Sequence, residues 1–108
     1  MGKNGMAKGK AGERELAEQL RSLGLGDGIR RGQQYSGMEA PDIVGLDGIH
    51  PECKRQERLN IQDAMLQAVT DCLPGVMPAV FHRQNRTPWL VTMRLTDWVE
   101  LYKQSRRA

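Results

Sequence analysis

The sequence predicts an α/β fold with the element order αβββαββα, in which a mixed five-stranded sheet, its first three strands antiparallel, is flanked by helices. Two observations predict this arrangement. Apolar residues recur at helical spacing over residues 13–23 and 60–72, and again after Thr96. The intervening segments are short apolar and β-branched runs bounded by glycine, proline and charged residues, as is typical of strands. A chain of 108 residues is long enough for one such domain and too short for two.

Composition narrows the class of protein. Lys and Arg total 16 and Asp and Glu total 13, so the net charge of +3 is too small to establish nucleic-acid binding by itself. Aromatic residues make up 5% of the chain, too few for a base-stacking platform. The cysteines, Cys53 and Cys72, form no C-x-x-C pair, which disfavours a zinc site and predicts free thiols. No apolar run is long enough to cross a membrane and no signal peptide is recognisable, so we expect a cytoplasmic protein without membrane contact.

The ends of the chain differ from its middle. Residues 1–12 combine glycine and lysine with few apolar side chains, and we expect them to form a flexible basic arm. Such an arm is ordinarily a solvated tail, and its lysines gain a role only when DNA is bound. Residues 13–104 are predicted to form the folded domain, and residues 105–108 a short basic tail.

The first helix is expected to run from Glu13 to Leu23 and to end at Gly24. Its apolar stripe consists of Leu16, Ala17, Leu20 and Leu23. Glu13 lies on that stripe, whereas Glu15 and Glu18 lie away from it. A carboxylate on the packed face has two explanations: stabilisation by the helix dipole, or a place in a metal or phosphate site beside the sheet.

Two short strands joined by a turn, within residues 41–54, carry the charged residues from which a site is predicted. A polar loop over residues 33–40 leads into them. Asp42 begins the first strand, and Glu52 and Lys54 end the second. Strand side chains alternate between faces, so Glu52 and Lys54 point the same way. Two carboxylates and an ammonium group on a rigid hairpin are suited to binding Mg²⁺ and a phosphate together.

The turn of this hairpin decides whether Asp42 joins the other two groups. In a two-residue loop, Asp47–Gly48, Asp42 faces Cys53 and lies on the opposite face from Glu52. In a three-residue loop, Leu46–Gly48, Asp42 lies directly across from Glu52. We favour the three-residue loop, because it collects the charged residues on one face and the apolar residues on the other.

The second half of the chain supplies packing. A helix capped by Asn60 is expected to turn an apolar stripe toward the core. The members of this stripe are Ile61, Ala64, Met65, Ala68, Val69 and Cys72. Gln67 lies at its flank. Strands are predicted over residues 77–83 and 89–95, followed by a last helix that Thr96 caps.

The order of elements, with Pro41-Asp42 followed by Glu52-x-Lys54, resembles that of the PD-(D/E)xK nuclease superfamily. The motif Lys8-Gly9-x-x-Gly12-Glu13-Arg14-Glu15-Leu16 is similar to the opening of archaeal-type Holliday junction resolvases and their phage relatives. The resemblance covers residues 8–54, and from Leu59 onward only the order of elements agrees. It implies a restriction-endonuclease-like core.

Two residues depart from the pattern of that family. Pro51 and Cys53 occupy strand positions where the family has an apolar or β-branched residue. Proline removes a ladder hydrogen bond, so we expect a bulge or a locally unpaired edge at Pro51. The ligand positions themselves are unaffected.

The resemblance implies a role for each residue that matches its motifs. The catalytic set is Glu13, Asp42, Glu52 and Lys54. The implied metal ligands are Asp42, Glu52 and Glu13, with the backbone carbonyl of Cys53 or Val44 as a neutral donor. The expected DNA contacts are Lys8, Lys10, Arg14, Arg30, Arg31, Ser36, Arg55 and Arg58. The residues expected to stand beside the catalytic set are His50 and Gln67.

The resemblance therefore implies Mg²⁺-dependent hydrolysis of phosphodiester bonds, with Mn²⁺ able to substitute. The favoured interpretation is a structure-selective endonuclease that cuts four-way DNA junctions as a homodimer, since two symmetric nicks need two sites. The alternatives are a nuclease of the same chemistry acting on flaps, nicks or a specific duplex sequence, and a catalytically inactive DNA-binding module. We expect branched or duplex DNA as the partner, no small-molecule cofactor, and the cytoplasm of a bacterial, archaeal or phage-infected host cell. The candidates for the dimer interface are Trp89, Met93, Trp98 and Leu101, and the alternative is that these side chains fill the core of the monomer.

Overall fold

The computed structural model of the chain describes residues 2–32 and 41–107, with side chains from residue 9 onward. The predicted order of elements is confirmed. The elements are α1, Gly2–Leu20; β1, Arg30–Arg31; β2, Ile43–Val44; β3, Ile49–Arg55; α2, Ile61–Asp71; β4, Met77–Arg83; β5, Leu90–Met93; and α3, Leu95–Ser105. The predicted loop over residues 33–40, with Ser36, and the side chain of Lys8 lie outside the described residues.

The strands form a pair and a three-stranded sheet. β1 and β2 pair antiparallel, while the second sheet has the order β3-β4-β5, with β3 parallel to β4 and β4 antiparallel to β5. The predicted mixed sheet is therefore confirmed, but its extension to five strands with the first three antiparallel is wrong. At the outer edge of β3 the backbone amide of Cys53 is bonded by the side chain of Asp42, and not by a backbone carbonyl of β2. The Asp42 side chain therefore occupies the edge of β3 where backbone hydrogen bonds to β2 were expected.

The first helix begins at Gly2, well before the predicted start at Glu13. Its end lies close to the prediction. The regular helix ends at Leu20 and continues as a π-helical turn over Arg21–Leu25, within which Gly24 has a φ of 109°. Only glycine adopts this conformation without a steric penalty, so Gly24 turns the chain away from the helix axis.

The two helices α1 and α2 pack on opposite faces of the three-stranded sheet. The parallel register pairs Cys53 with Phe81 and Glu52 with Val80, so alternate β3 residues face opposite sides. The core on the α1 side is formed by Leu16, Ala17, Ile29, Ile43, Ala79 and Phe81. The smaller core on the α2 side is formed by Ala64, Ala68 and Val80. The apolar stripe predicted for α2 is therefore the packed one, and so is that of α1 through Leu16, Ala17 and Leu20, but Leu23 is 71% exposed and its place in the stripe was wrong.

Pro51 is accommodated without a bulge. It pairs with Ala79 in an uninterrupted parallel register over the whole of β3. Among the described residues β3 is an outer strand of its sheet, so one of its edges carries no ladder. The expected bulge is wrong, and the expected unpaired edge is confirmed.

The termini of the later helices differ in how well the sequence identifies them. The predicted N-cap of α2 is confirmed, because the Asn60 side chain accepts a hydrogen bond from the Asp63 amide at 3.1 Å. The predicted cap of α3 by Thr96 is wrong, because the helix begins at Leu95 and Arg94 occupies the cap position without a side-chain bond. Within the described residues, no helix combines the length and apolar character needed to span a bilayer.

Candidate active site at the edge of β3

Glu52 and Lys54 lie on the same face of β3, as predicted. The register pairs Glu52 with Val80 and Lys54 with His82, which places both charged residues on the face that carries α2. Glu52 is 7% exposed and is the charged residue that the described structure buries. His50 shares this face, with Nε2 3.9 Å from Glu52 Oε2. A buried carboxylate at the end of a sheet requires a compensating partner, because burial penalises its charge.

Asp42 reaches the same strand from its outer edge. Its Oδ2 accepts a hydrogen bond from the backbone amide of Cys53 at 2.7 Å. A strand amide points within the plane of the sheet, so the Asp42 carboxylate lies beside the strand between its two faces. From this position its charge acts on residues of both faces.

The turn between β2 and β3 explains why Asp42 reaches Cys53. The Ile49 amide donates to the Leu46 carbonyl at 3.2 Å, which closes a turn centred on Asp47–Gly48. Gly48 has a φ of 80°. The favoured three-residue loop is therefore wrong, and the bond pattern is that of the two-residue loop. Asp42 faces Cys53, as that loop requires, yet its carboxylate stays close enough to Glu52 to perturb it.

The pKa of Glu52 shows that the carboxylates are close neighbours. Burial and, next in size, the negative charge of Asp42 together raise this pKa to about 7, while Lys54 opposes the rise. Asp71, at the end of α2, adds a smaller effect in the same direction as Asp42. A carboxyl group that is half protonated at neutral pH is unusual outside functional sites.

Glu13 is the third carboxylate of this neighbourhood. Burial and the charge of Asp42 raise its pKa, while Arg31 is the principal opposing charge. The Arg31 Nε lies 4.0 Å from Glu13 Oε2. The charge of Asp42 therefore acts both on Glu13 of α1 and on Glu52 of β3.

Cys53 can contribute to the candidate site only through its backbone atoms. Burial raises the pKa of its thiol, so the sulfur stays protonated. The expected free thiols are confirmed for Cys53 and Cys72. An oxygen donor for a hard cation can come from the Cys53 carbonyl and not from its side chain.

Glu15 holds α1 against the sheet, a role that the sequence did not indicate. Its carboxylate accepts from Arg55 Nε at 3.4 Å and from Arg83 Nη1. Arg55 also donates to Asn85 Oδ1 at 2.9 Å. A Cβ atom on Gly12 would lie 2.6 Å from the Cβ of Arg55, so the glycine permits this close approach of helix and strand. The prediction that Glu15 points away from the packed structure is wrong.

The sequence contains a signal for the pairing of Glu15 with Arg55 and Arg83, but it can be recognised only when the register of the sheet is known. β3 and β4 pair in parallel, which places Arg55 directly beside Arg83. Two adjacent guanidinium groups at the end of a sheet need an acidic neighbour. Without knowledge of the parallel pairing, neither arginine could be assigned to Glu15.

His82 is another residue beside the site that sequence reasoning did not select. It is the register partner of Lys54, and its Nε2 lies 2.8 Å from Thr92 Oγ1. Burial lowers the pKa of His82, so the ring is neutral at pH 7.

The residues predicted to contact DNA differ in their exposure and in the partners that they already have. Exposed positions are occupied by Lys10, Arg14, Arg30 and Arg58. Arg31 is half-buried, and its Nη1 is buried without a hydrogen-bond partner. Arg55 is engaged in ion pairs with Glu15 and Glu57. Gln67 is exposed on α2.

The carboxylate oxygens of the candidate site are the kind of ligand that a hard divalent cation prefers. The described side chains do not, however, form an assembled metal site. Within residues 9–32 and 41–107, no group of three or more His, Cys, Asp or Glu side chains is arranged to hold a metal ion. The oxygen donors of Asp42 and Glu52 nevertheless suit Mg²⁺, and a bound cation would offset both the burial and the repulsion by Asp42 that raise the pKa of Glu52.

Comparisons of this chain with models of protein families, with curated proteins and with solved structures found no match.

Proposed function

We propose that this chain is a Mg²⁺-dependent endonuclease of the PD-(D/E)xK type that hydrolyses phosphodiester bonds in branched DNA, with four-way junctions as its preferred substrate. One observation carries the proposal: the Asp42 carboxylate lies beside the buried carboxyl group of Glu52, whose pKa is about 7, on the strand that also presents Lys54. Contacts to DNA phosphates gain nothing from acidic side chains, whereas Mg²⁺ is held through one or two carboxylates.

The metal would be held by Asp42 and Glu52, with Glu13 bonding to it directly or through water. When bound, Mg²⁺ supplies positive charge that stabilises the transition state and polarises the attacking water, and Mn²⁺ can supply the same chemistry. Glu52 must lose its proton before it can bind the cation. Lys54 neutralises the charge that develops on the phosphate, or orients the water.

The basic residues around the site fit contacts to the phosphate backbone. Arg31 is half-buried beside Glu13, and its Nη1 is closed to solvent in the described structure, so its charge offsets that carboxylate. Arg30, on the other face of the same short strand, is exposed. Phosphate contacts position a duplex without reading its sequence, which suits an enzyme selective for DNA shape.

The test is cleavage of labelled DNA with and without Mg²⁺ or Mn²⁺. A four-way junction is compared with flap, nicked and linear duplex substrates of the same sequence, and the Asp42→Asn variant is the control. The proposal expects paired symmetric nicks in the junction and little cutting of linear duplex. Equal cutting of all substrates would leave a nuclease without junction selectivity. Binding of DNA without any cleavage would favour the inactive DNA-binding module.

A second copy of the chain belongs to this proposal, because one small domain supplies one site and a junction is cut at two equivalent strands. The candidate interface residues differ in their exposure. Trp89 and Met93 pack against the core on the α1 side. Trp98 and Leu101 are exposed on α3.

A further inference from the structure

The turn between β4 and β5 contains a residue in a strained backbone conformation. The Thr87 amide donates to the Gln84 carbonyl at 3.3 Å, which closes a four-residue turn over residues 84–87. Arg86 is the third residue of this turn and has a φ of 63°. Glycine or asparagine is the usual residue at a turn position with positive φ, because longer side chains raise the energy of this conformation. Strained residues of this kind cluster at ligand-binding and active sites.

Hydrogen bonds hold this turn on both sides of Arg86. The carboxylate of Glu57, in the link that follows β3, accepts from the Asn85 amide at 2.5 Å. The Thr87 carbonyl accepts from Arg83 Nε at 2.6 Å. These bonds enforce the strained backbone and fix the point from which the Arg86 side chain extends.

The charge of Arg86 is not used to stabilise the domain. Arg86 is exposed, and it forms no ion pair within the part of the chain that the structure describes. Glu57 lines the same open hollow as Asn85 and Arg86, but its carboxylate is paired with Arg55 Nη1 at 3.7 Å. Glycine would remove the strain at this position, so stability does not account for an arginine there. A planar guanidinium on a fixed backbone is instead suited to binding a phosphate.

The turn lies at the end of the sheet where Lys54 is placed. The parallel register puts Lys54 beside His82 and Arg55 beside Arg83, and the turn follows directly after Arg83. Neighbouring strands lie only about 5 Å apart, so the turn begins close to Lys54. A DNA strand whose scissile phosphate lies at Lys54 therefore brings other phosphates of its backbone to this turn. Contacts to such phosphates position DNA without reading its sequence.

We propose that Arg86 is a DNA-positioning residue, whose guanidinium contacts a backbone phosphate of the strand that passes Lys54. The identity of the ligand rests on the proposed function. Arg86 lies outside residues 8–54, which carry the family resemblance, so the contact belongs to the β4–β5 turn of this chain. The fixed backbone limits the freedom that the side chain loses when it binds, which favours the contact.

The test combines thermal unfolding with binding of a four-way junction, measured by fluorescence anisotropy in EDTA. Arg86→Gly is expected to raise the melting temperature by about 3 °C, because glycine relieves the strain. The same variant should bind the junction about fivefold more weakly, with a salt slope shallower by about one. Arg86→Lys keeps the charge and should recover most of the affinity. Arg107→Gly is the matched control, because Arg107 is exposed beyond α3, and it should change neither quantity.

Junctions with a single methylphosphonate identify the phosphate, because this group removes one backbone charge at a chosen position. The wild type should bind one such junction about fivefold less tightly than the unmodified junction, whereas Arg86→Gly should bind the two alike. Wild-type affinity and salt slope in Arg86→Gly would overturn the inference. A lower melting temperature together with weaker binding would also overturn it, by assigning Arg86 a structural role. The expected binding effects in a chain that cuts no DNA would support the inference and contradict the proposed function.

Discussion

The Asp42 carboxylate accepts a hydrogen bond from the Cys53 backbone amide at 2.7 Å, at the edge of β3 that carries no ladder in the described structure. This bond fixes a negative charge between the two faces of the strand. Burial, and after it that charge, raises the pKa of Glu52 on one face and of Glu13 on α1. The Asp42 charge thus acts on carboxyl groups of two elements, α1 and β3.

Replacing Lys54 should separate metal binding from cleavage. Lys54→Met removes the ammonium but keeps most of the side-chain length, so Mg²⁺ should still raise the melting temperature. The cleavage rate should fall by about 100-fold or more, because the charge that develops in the transition state loses its counter-charge. Lys103→Met is the control, since Lys103 is an exposed lysine on α3 that is not among the expected DNA contacts. Equal rates for Lys54→Met and the wild type would remove Lys54 from the mechanism.

The raised pKa of Glu52 predicts a stability that falls with pH. The folded-state pKa of about 7 lies above the ordinary glutamate value of 4.5, so the folded protein binds more protons between these values than the unfolded chain. The contribution is fully present below about pH 4.5 and is lost as the pH rises through 7. Free energies of unfolding in urea with EDTA should therefore fall from pH 5 to pH 8 by an amount on the order of 2 kcal/mol that Glu52→Gln lacks. An identical pH dependence in both proteins would contradict the burial of this carboxyl group.

Glu13 and Glu15 should differ in what their replacement impairs. Glu13→Gln should reduce cleavage strongly and leave the free energy of unfolding nearly unchanged, because Glu13 lies beside Asp42 and Arg31. Glu15→Gln should lower the free energy of unfolding by about 1–2 kcal/mol, since Arg55 and Arg83 lose their shared acid. The value is smaller than for a buried pair because the Glu15 side chain is 36% exposed.

Urea unfolding and cleavage rates of both variants distinguish these roles. If Glu15→Gln loses cleavage only in proportion to its loss of stability, the result agrees with a structural role for Glu15. Equal catalytic defects in the two variants, at unchanged stability, would contradict it.

Local patterns predicted the elements of this fold better than the contacts between them. Helical and strand periodicity gave the order of elements, the Asn60 cap and the shared face of Glu52 and Lys54. The parallel pairing of β3 with β4 depends on contacts distant in sequence, which periodicity cannot supply. For that reason the five-stranded sheet and the outward position of Glu15 were wrong. The three-residue loop was wrong because the choice was based on the faces of the strands, whereas the Asp42 side chain reaches the strand edge.

DNA binding should depend steeply on salt and little on base sequence. Exposed cations such as Lys10, Arg14 and Arg30 can contact phosphates, and such contacts release counterions from the DNA. The logarithm of the binding constant should fall linearly with the logarithm of salt concentration, which fluorescence anisotropy measures. Competition with junctions of unrelated sequence should be nearly equal. A strong preference for one duplex sequence would favour the sequence-specific alternative.

The most direct test of the carboxylate site is the Mg²⁺ dependence of single-turnover cleavage at pH 8, measured on a four-way junction for the wild type, Asp42→Asn and Glu52→Gln. Asn at position 42 can still accept the Cys53 hydrogen bond, so the first variant removes charge with little change of shape. We predict saturable activation of the wild type by Mg²⁺, DNA binding within about threefold of wild type in both variants, and cleavage reduced by about 1,000-fold or more. Wild-type cleavage that persists in EDTA, or variants that cut at the wild-type rate, would contradict the account.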